Sequence, residues 1–274
     1  MNLKLIGPNM TTSLTQNERP VIATDVDGVL LSWQSGLPYF AQKYNLPLEH
    51  ILEMIQDDKF IKPGKLFGCD EHLGEQLINK YNSSDFIRYL APYMDALRNI
   101  NKLKKAYDFV AVTALGDSID ARLNRQFNLN ALFPGAFQDI QMCAHNESKE
   151  LILTKVRLKY GSRLKFFVDD LPHHCQAAKR ILDVPVYWMV RGERDGFADD
   201  CTKVTDWDDI VAIETRRQEV SKNLEVIQNE IERQLSPHKA WQTGWPPFDR
   251  IKNQPESYRN IKPSDLRAYY GEVK

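Results

Sequence analysis

The chain has 274 residues, and its 36 Lys and Arg nearly balance 37 Asp and Glu, for a formal net charge of −1. That balance gives no global field to make a nucleic acid or a membrane surface an obligate partner. Four scattered cysteines (Cys69, Cys143, Cys175, Cys201) with no CxxC pair argue against a zinc or disulfide framework and fit a reducing compartment.

Residues 1–19 read as a polar N-terminal arm, with no apolar segment of the kind a secretory signal requires. No apolar run approaches the ~20 residues of a membrane span. A soluble, cytoplasmic protein is expected. The first strand is Val21 to Thr24, a β-branched run of the buried parallel type. It ends in Asp25-Val26-Asp27-Gly28-Val29. Trp33, Leu37, Phe40, Ala41 and Tyr44 then recur at helical spacing. Two further short helices are marked by Leu48, Ile51, Leu52, Ile55 and by Leu73, Leu77, Ile78, Tyr81. Residues 33–90 thus read as a small helical insertion, cut by Pro47, Pro63-Gly64 and Gly74.

From Pro92 the pattern alternates. A helix carrying Met94, Leu97, Ile100 and Leu103 leads to a strand, Phe109 to Thr113. A helix with an Ile119, Leu123, Phe127 face follows, then a strand near Phe137 to Met142 and a helix from about Lys149 to Tyr160. The strand Leu164 to Val168 closes in Asp169-Asp170, and after the helix Cys175 to Leu182 comes a strand Val184 to Val190. Such β-α alternation predicts an α/β fold, a Rossmann-like doubly wound parallel sheet with right-handed crossovers. Residues 20–32 and 91–212 form this core, which a short helix, Val204 to Ile213, closes. Residues 213–274 form a C-terminal extension. Its stripe of Ile213, Val220, Leu224, Ile227, Ile231 and Leu235 suits packing on the core or pairing with a second chain as a homodimer or a protein partner. Its tail is rich in aromatics: Trp241, Trp245, Phe248, Tyr258, Tyr269 and Tyr270.

In a parallel sheet the strand ends share one edge, where ligands bind. Asp25, Asp27, Thr113, Asp169 and Asp170 would converge there. A carboxylate cluster suits a hard divalent cation such as Mg²⁺. One carboxylate can attack phosphorus while its neighbour moves protons. A hydroxyl, backbone N–H groups such as that of Ala114, and a lysine can hold phosphoryl oxygens. Lys149 and Lys155 are the candidate lysines. Asp117 or Ser118 could cap the helix after Thr113. His173 and His174 read as loop-surface residues.

The order Asp25-Val26-Asp27-Gly28-Val29, Thr113, Lys149, Asp169-Asp170 resembles the haloacid-dehalogenase-like (HAD) hydrolase superfamily. The resemblance implies Asp25 as nucleophile and metal ligand, and Asp27 as general acid/base offering its backbone carbonyl to the metal. It implies Thr113 and Lys149 as phosphate-binding groups and Asp169 and Asp170 as further Mg²⁺ ligands. Asp27 favours phosphate chemistry, because the dehalogenases lack that second carboxylate. The insertion would be a cap that selects a small phosphorylated substrate. Gly28 to Trp33 resembles the start of the 5′(3′)-deoxyribonucleotidases, with Ser32 and Trp33 where those have aspartate and phenylalanine. Trp33 could stack on a nucleobase. The implied function is a Mg²⁺-dependent phosphatase, with a nucleoside monophosphate the first candidate substrate. A sugar or other metabolite phosphatase, a polynucleotide 3′-phosphatase and a non-catalytic scaffold are the alternatives.

Overall fold

The computed structural model describes residues 19–57, 59–192 and 195–242, with side chains described as far as 232. Most of the N-terminal arm and the tail beyond 242 lie outside these residues, as do the side chains of Leu235 and Trp241.

Six strands form one sheet: β1 (Val21–Thr24), β4 (Asp108–Thr113), β5 (Phe137–Met142), β6 (Leu164–Asp169), β7 (Val186–Met189) and β8 (Thr202–Val204). Their order is β5-β4-β1-β6-β7-β8, and every neighbouring pair is parallel. The doubly wound α/β fold is as the alternation predicted. β1 is central and fully buried, which is why its four residues are all apolar or, at Thr24, able to bond locally. The chain moves outward from β1 to one side through β4 and β5. It then returns to the other side through β6, so the order reverses next to β1. That reversal leaves a crevice at the carboxyl ends of β1, β4 and β6.

Helices α5 (Met94–Leu103), α6 (Ile119–Leu132), α7 (Glu150–Tyr160) and α8 (Pro172–Ile181) make the crossovers. Two apolar clusters cover the two faces of the sheet. Ile22, Phe109, Ala111, Phe166, Val168 and Trp207 belong to one, and Val21, Ala23, Val110, Val112, Leu153, Phe167 and Cys175 to the other. The alternation along each strand, one residue to each face, follows from the pleat.

The insertion holds α1 (Leu37–Tyr44), α2 (Glu49–Asp57), α3 (Pro63–Phe67) and α4 (Glu71–Asn82). It is helical as expected. A small antiparallel ribbon at its base, β2 (Leu31–Ser32) with β3 (Ala91–Pro92), has no sequence signal, since two residues carry no period.

Three expectations are corrected. Val204 does not open a helix: it ends the edge strand β8, and the helix α9 begins at Trp207 and continues to Gln242. Ile119, Leu123 and Phe127 do not face the core but are 76%, 53% and 49% exposed, while Asn124, Arg125 and Asn128 of the same helix are buried. His174 is buried on the first turn of α8, although His173 beside it is exposed.

By its contacts the chain divides into residues 1–214 and 215–274. In the second unit Val220, Leu224, Ile227 and Ile231 of the α9 stripe are each more than half exposed.

Candidate active site

β1 ends at Thr24, and Asp25 still donates its N–H to Val168 of β6 at 2.8 Å, so its side chain starts from a fixed point. The chain then turns sharply: Leu30 and Leu31 donate back to the Val26 carbonyl and Gly28 donates to Leu31. Gly28 has φ +75°, and a Cβ there would lie 2.3 Å from Asp170 Oδ2. Glycine is therefore required twice, by the turn and by the close approach of a carboxylate.

Asp25, Asp169 and Asp170 are all buried, and each offers one oxygen within 4.8 Å of the others. Lys149, the residue before α7, is 1% exposed and reaches into this group. Its Nζ lies 2.9 Å from Asp25 Oδ1 and 2.8 Å from Asp169 Oδ2. Asp169 Oδ1 accepts the Leu171 N–H at 3.0 Å, and His174 Nδ1 stands 3.6 Å away. Lys155 is exposed on the outer face of α7, so Lys149 is the lysine that meets the carboxylates.

The electrostatics of the cluster are uneven. Burial pushes Asp25 up to about 6, helped by the charges of Asp169 and Asp27 and resisted by Lys149. Burial opposes ionisation of Asp169 too, but Lys149 and His174 outweigh it and hold Asp169 at about 2. Burial disfavours the Lys149 cation, yet Asp169 and Asp25 raise its pKa above the ordinary value. Lys149 thus bridges Asp25 and Asp169, and Asp170 lies beside them. Oxygen-only donors spaced to meet around one point suit a hard divalent ion such as Mg²⁺.

Asp27 stands apart from the other three. Its carboxylate accepts from Arg125 Nη2 at 2.7 and 2.5 Å. Arg125 is fully buried, whereas the Asp27 side chain keeps 22% exposure. The structure therefore brings Asp25, Asp169 and Asp170 together and turns the Asp27 carboxylate to another partner.

Thr113, at the end of β4, is buried, and with Ala114 it lines a cavity of about 670 Å³. Asp25, Asp27, Lys149 and Asp170 line the same cavity, as do Trp33, Met54, Ile61, Leu66 and Ile78 of the insertion. Ser118 caps α6 by accepting from Ala121 N–H at 3.1 Å. Among the lysines of the insertion, Lys59 pairs with Glu53 and Asp57, and Lys62 and Lys65 are exposed.

Arg125, Asn82 and His174 were missed by sequence reasoning. Arg125 sits on a face with Asn124 and Asn128, and that polar spacing of one, three and four was the available signal. Asn124 Nδ2 donates to Ser83 and Ser84 carbonyls, and Asn128 Nδ2 to that of Arg88, so this face of α6 grips the returning end of the insertion.

A six-stranded parallel sheet, reversed beside β1 and carrying acidic groups at its carboxyl edge, is the Rossmann-like α/β fold that haloacid-dehalogenase-like proteins share. The fold is that of a solved structure. A haloacid dehalogenase-like family hydrolase, SP0104 from Streptococcus pneumoniae, superimposes with a TM-score of 0.50 at 13% identity, over 71% of this chain and 98% of that one. A "putative phosphoglycolate phosphatase" from Lactobacillus plantarum gives 0.48 at 13% identity, over 71% and 98%. No protein-family model matches the chain. In sequence it is 54% identical over 265 residues to the "Uncharacterized 32.4 kDa protein in Gp30-rIII intergenic region" of Enterobacteria phage T4, covering 92% of this chain and 95% of the relative. The chain belongs to the family of that phage protein. Among the described residues no helix is long and apolar enough to cross a membrane.

Proposed function

We propose that the protein is a Mg²⁺-dependent phosphomonoester hydrolase acting through a phosphorylated Asp25. The observation that carries this reading is the buried meeting of Asp25, Asp169 and Asp170, with Lys149 bridging the first two. Asp25, Asp169 and Asp170 would hold the ion, with the Asp27 carbonyl as a further oxygen. A bound Mg²⁺ supplies charge neutralisation for the phosphoryl group and for the attacking carboxylate.

Asp25 is the nucleophile. Its carboxylate oxygen forms a bond to phosphorus as the bond from phosphorus to the leaving oxygen breaks. Lys149 and Thr113 bind the phosphoryl oxygens. Asp27 gives a proton to the leaving oxygen, then takes one from the water that attacks phosphorus and frees Asp25. Arg125 orients the Asp27 carboxylate. The insertion covers the cavity and limits competing water. A nucleoside monophosphate is the favoured substrate class, supported by the indole of Trp33 and by the apolar wall beside the acidic edge.

The test is hydrolysis of p-nitrophenyl phosphate with and without Mg²⁺. Activity that needs the metal and falls by at least about 10³-fold in Asp25→Asn is expected. Undiminished turnover by Asp25→Asn would overturn the mechanism. Inactivity of the wild-type chain on a wide phosphomonoester panel, despite measured Mg²⁺ binding, would favour a scaffold that keeps the fold.

A further inference from the structure

The acidic edge accounts for one end of the cavity. The other end is built by the insertion, where Met54, Phe60, Ile61, Leu66 and Ile78 make an apolar wall. Asn82, the last residue of α4, lines this cavity and is 1% exposed.

The orientation of its amide is fixed by chemistry. Trp33 Nε1 lies 2.9 Å from Asn82 Oδ1. An indole N–H can only donate, so the oxygen must face Trp33 and the NH₂ must be the other end. Trp33 is itself held: Tyr81 donates its hydroxyl to the Trp33 carbonyl at 2.6 Å, and the two rings meet edge to face at 5.1 Å. Tyr81 is completely buried. Asn82 Nδ2 is left as a buried donor with no partner among the described residues. A buried polar atom without a partner needs an explanation, and the place of Asn82 in the cavity lining points to a ligand group.

We infer that Asn82 Nδ2 is a specificity donor that meets a hydrogen-bond acceptor on a planar leaving group lying against the apolar wall. This rests on the hydrolase reading and deepens it. The group that fits is a heterocycle with an exocyclic carbonyl oxygen or a pyridine-type nitrogen. A plain aryl ring would leave Nδ2 unpaired. A sugar without a base would present hydroxyls to a wall made largely of carbon. Trp33 is a positioning residue here, since it sets which end of the amide is free.

The test is calorimetric binding to the full-length chain of uridine, adenosine and phenyl C-riboside, the last keeping the ribose and a flat ring but carrying no ring acceptor. At least one natural nucleoside should bind about tenfold more tightly than the phenyl riboside. In Asn82→Ala and Asn82→Asp that preference should collapse to within about twofold. Trp33→Phe lets the amide turn and should narrow the preference without abolishing it, which keeps the inference testable where an Asn82 variant fails to fold. Equal binding of all three ligands to the wild type, or a preference that survives Asn82→Ala, would overturn it. The readout is independent of turnover. A chain that hydrolyses p-nitrophenyl phosphate but binds the ribosides equally loses this inference and keeps the hydrolase reading. The Asn82-dependent preference without hydrolysis does the reverse.

Discussion

Asp25 and Asp27 are two residues apart and have opposite electrostatic surroundings. Asp25 belongs to a buried group in which three carboxylates crowd together and Lys149 bridges two of them. Asp27 belongs to a matched pair with Arg125. A buried carboxylate crowded by like charges is costly to ionise until a cation joins it, whereas a carboxylate paired with a guanidinium becomes costly only when one partner is removed. The contrast separates a binding site from a positioning contact, and the two carboxylates should therefore respond differently to the same kind of mutation.

The largest expected effect is on turnover, the loss in Asp25→Asn already described. The same substitution should stabilise the metal-free fold, by something of the order of 1–3 kcal/mol, because it removes a buried charge that the protein holds near pKa 6. Thermal melting in chelator would check this, and a lower melting temperature would break the comparison. Asp27→Ala should act the other way. It strands the fully buried Arg125 guanidinium, at a cost toward the lower end of roughly 3–5 kcal/mol because the lost carboxylate was partly exposed. Urea unfolding of the two variants side by side measures the difference.

Metal should reverse the order for Asp25. At a hundredfold excess over its Kd, Mg²⁺ should stabilise the wild type by about 2.7 kcal/mol and Asp25→Asn by much less. The pH dependence of the metal-free protein sharpens the point. Asp25 is raised in the fold, so its contribution is present in full below its unfolded value and is lost as pH rises through about 6. Asp169 is depressed to about 2, so its contribution holds above its unfolded value and is lost as pH falls toward 2. Stability without metal should therefore rise as pH drops from 7 to about 4, then fall in stronger acid. The smallest effect is expected on the outer face of α6, where Leu123→Glu should change stability by no more than about 0.5 kcal/mol, since Leu123 is 53% exposed.

What could be read from the sequence follows the same division. Strands such as Val21–Thr24 and Leu164–Asp169 are short apolar runs ending in acids, so both the sheet and the groups at its edge were legible. Lys149 was legible as a candidate but not as a buried one. Helix α6 misled because its apolar residues face solvent and its polar ones face the protein. Periodicity locates a helix and assumes which side is inward. Arg125 and Asn82 escaped for that reason: their roles come from partners 98 and 49 residues away, Asp27 and Trp33. The edge strand β8 escaped because three residues carry no pattern.

The most direct measurement is rapid acid quench of the wild-type protein during turnover of p-nitrophenyl phosphate with Mg²⁺, followed by peptide mass analysis. A phosphoryl group on the peptide containing Asp25, formed within one turnover and absent from Asp25→Asn, is the predicted result. Steady turnover with no phosphoryl group on the protein, or with one on a different residue, would contradict it.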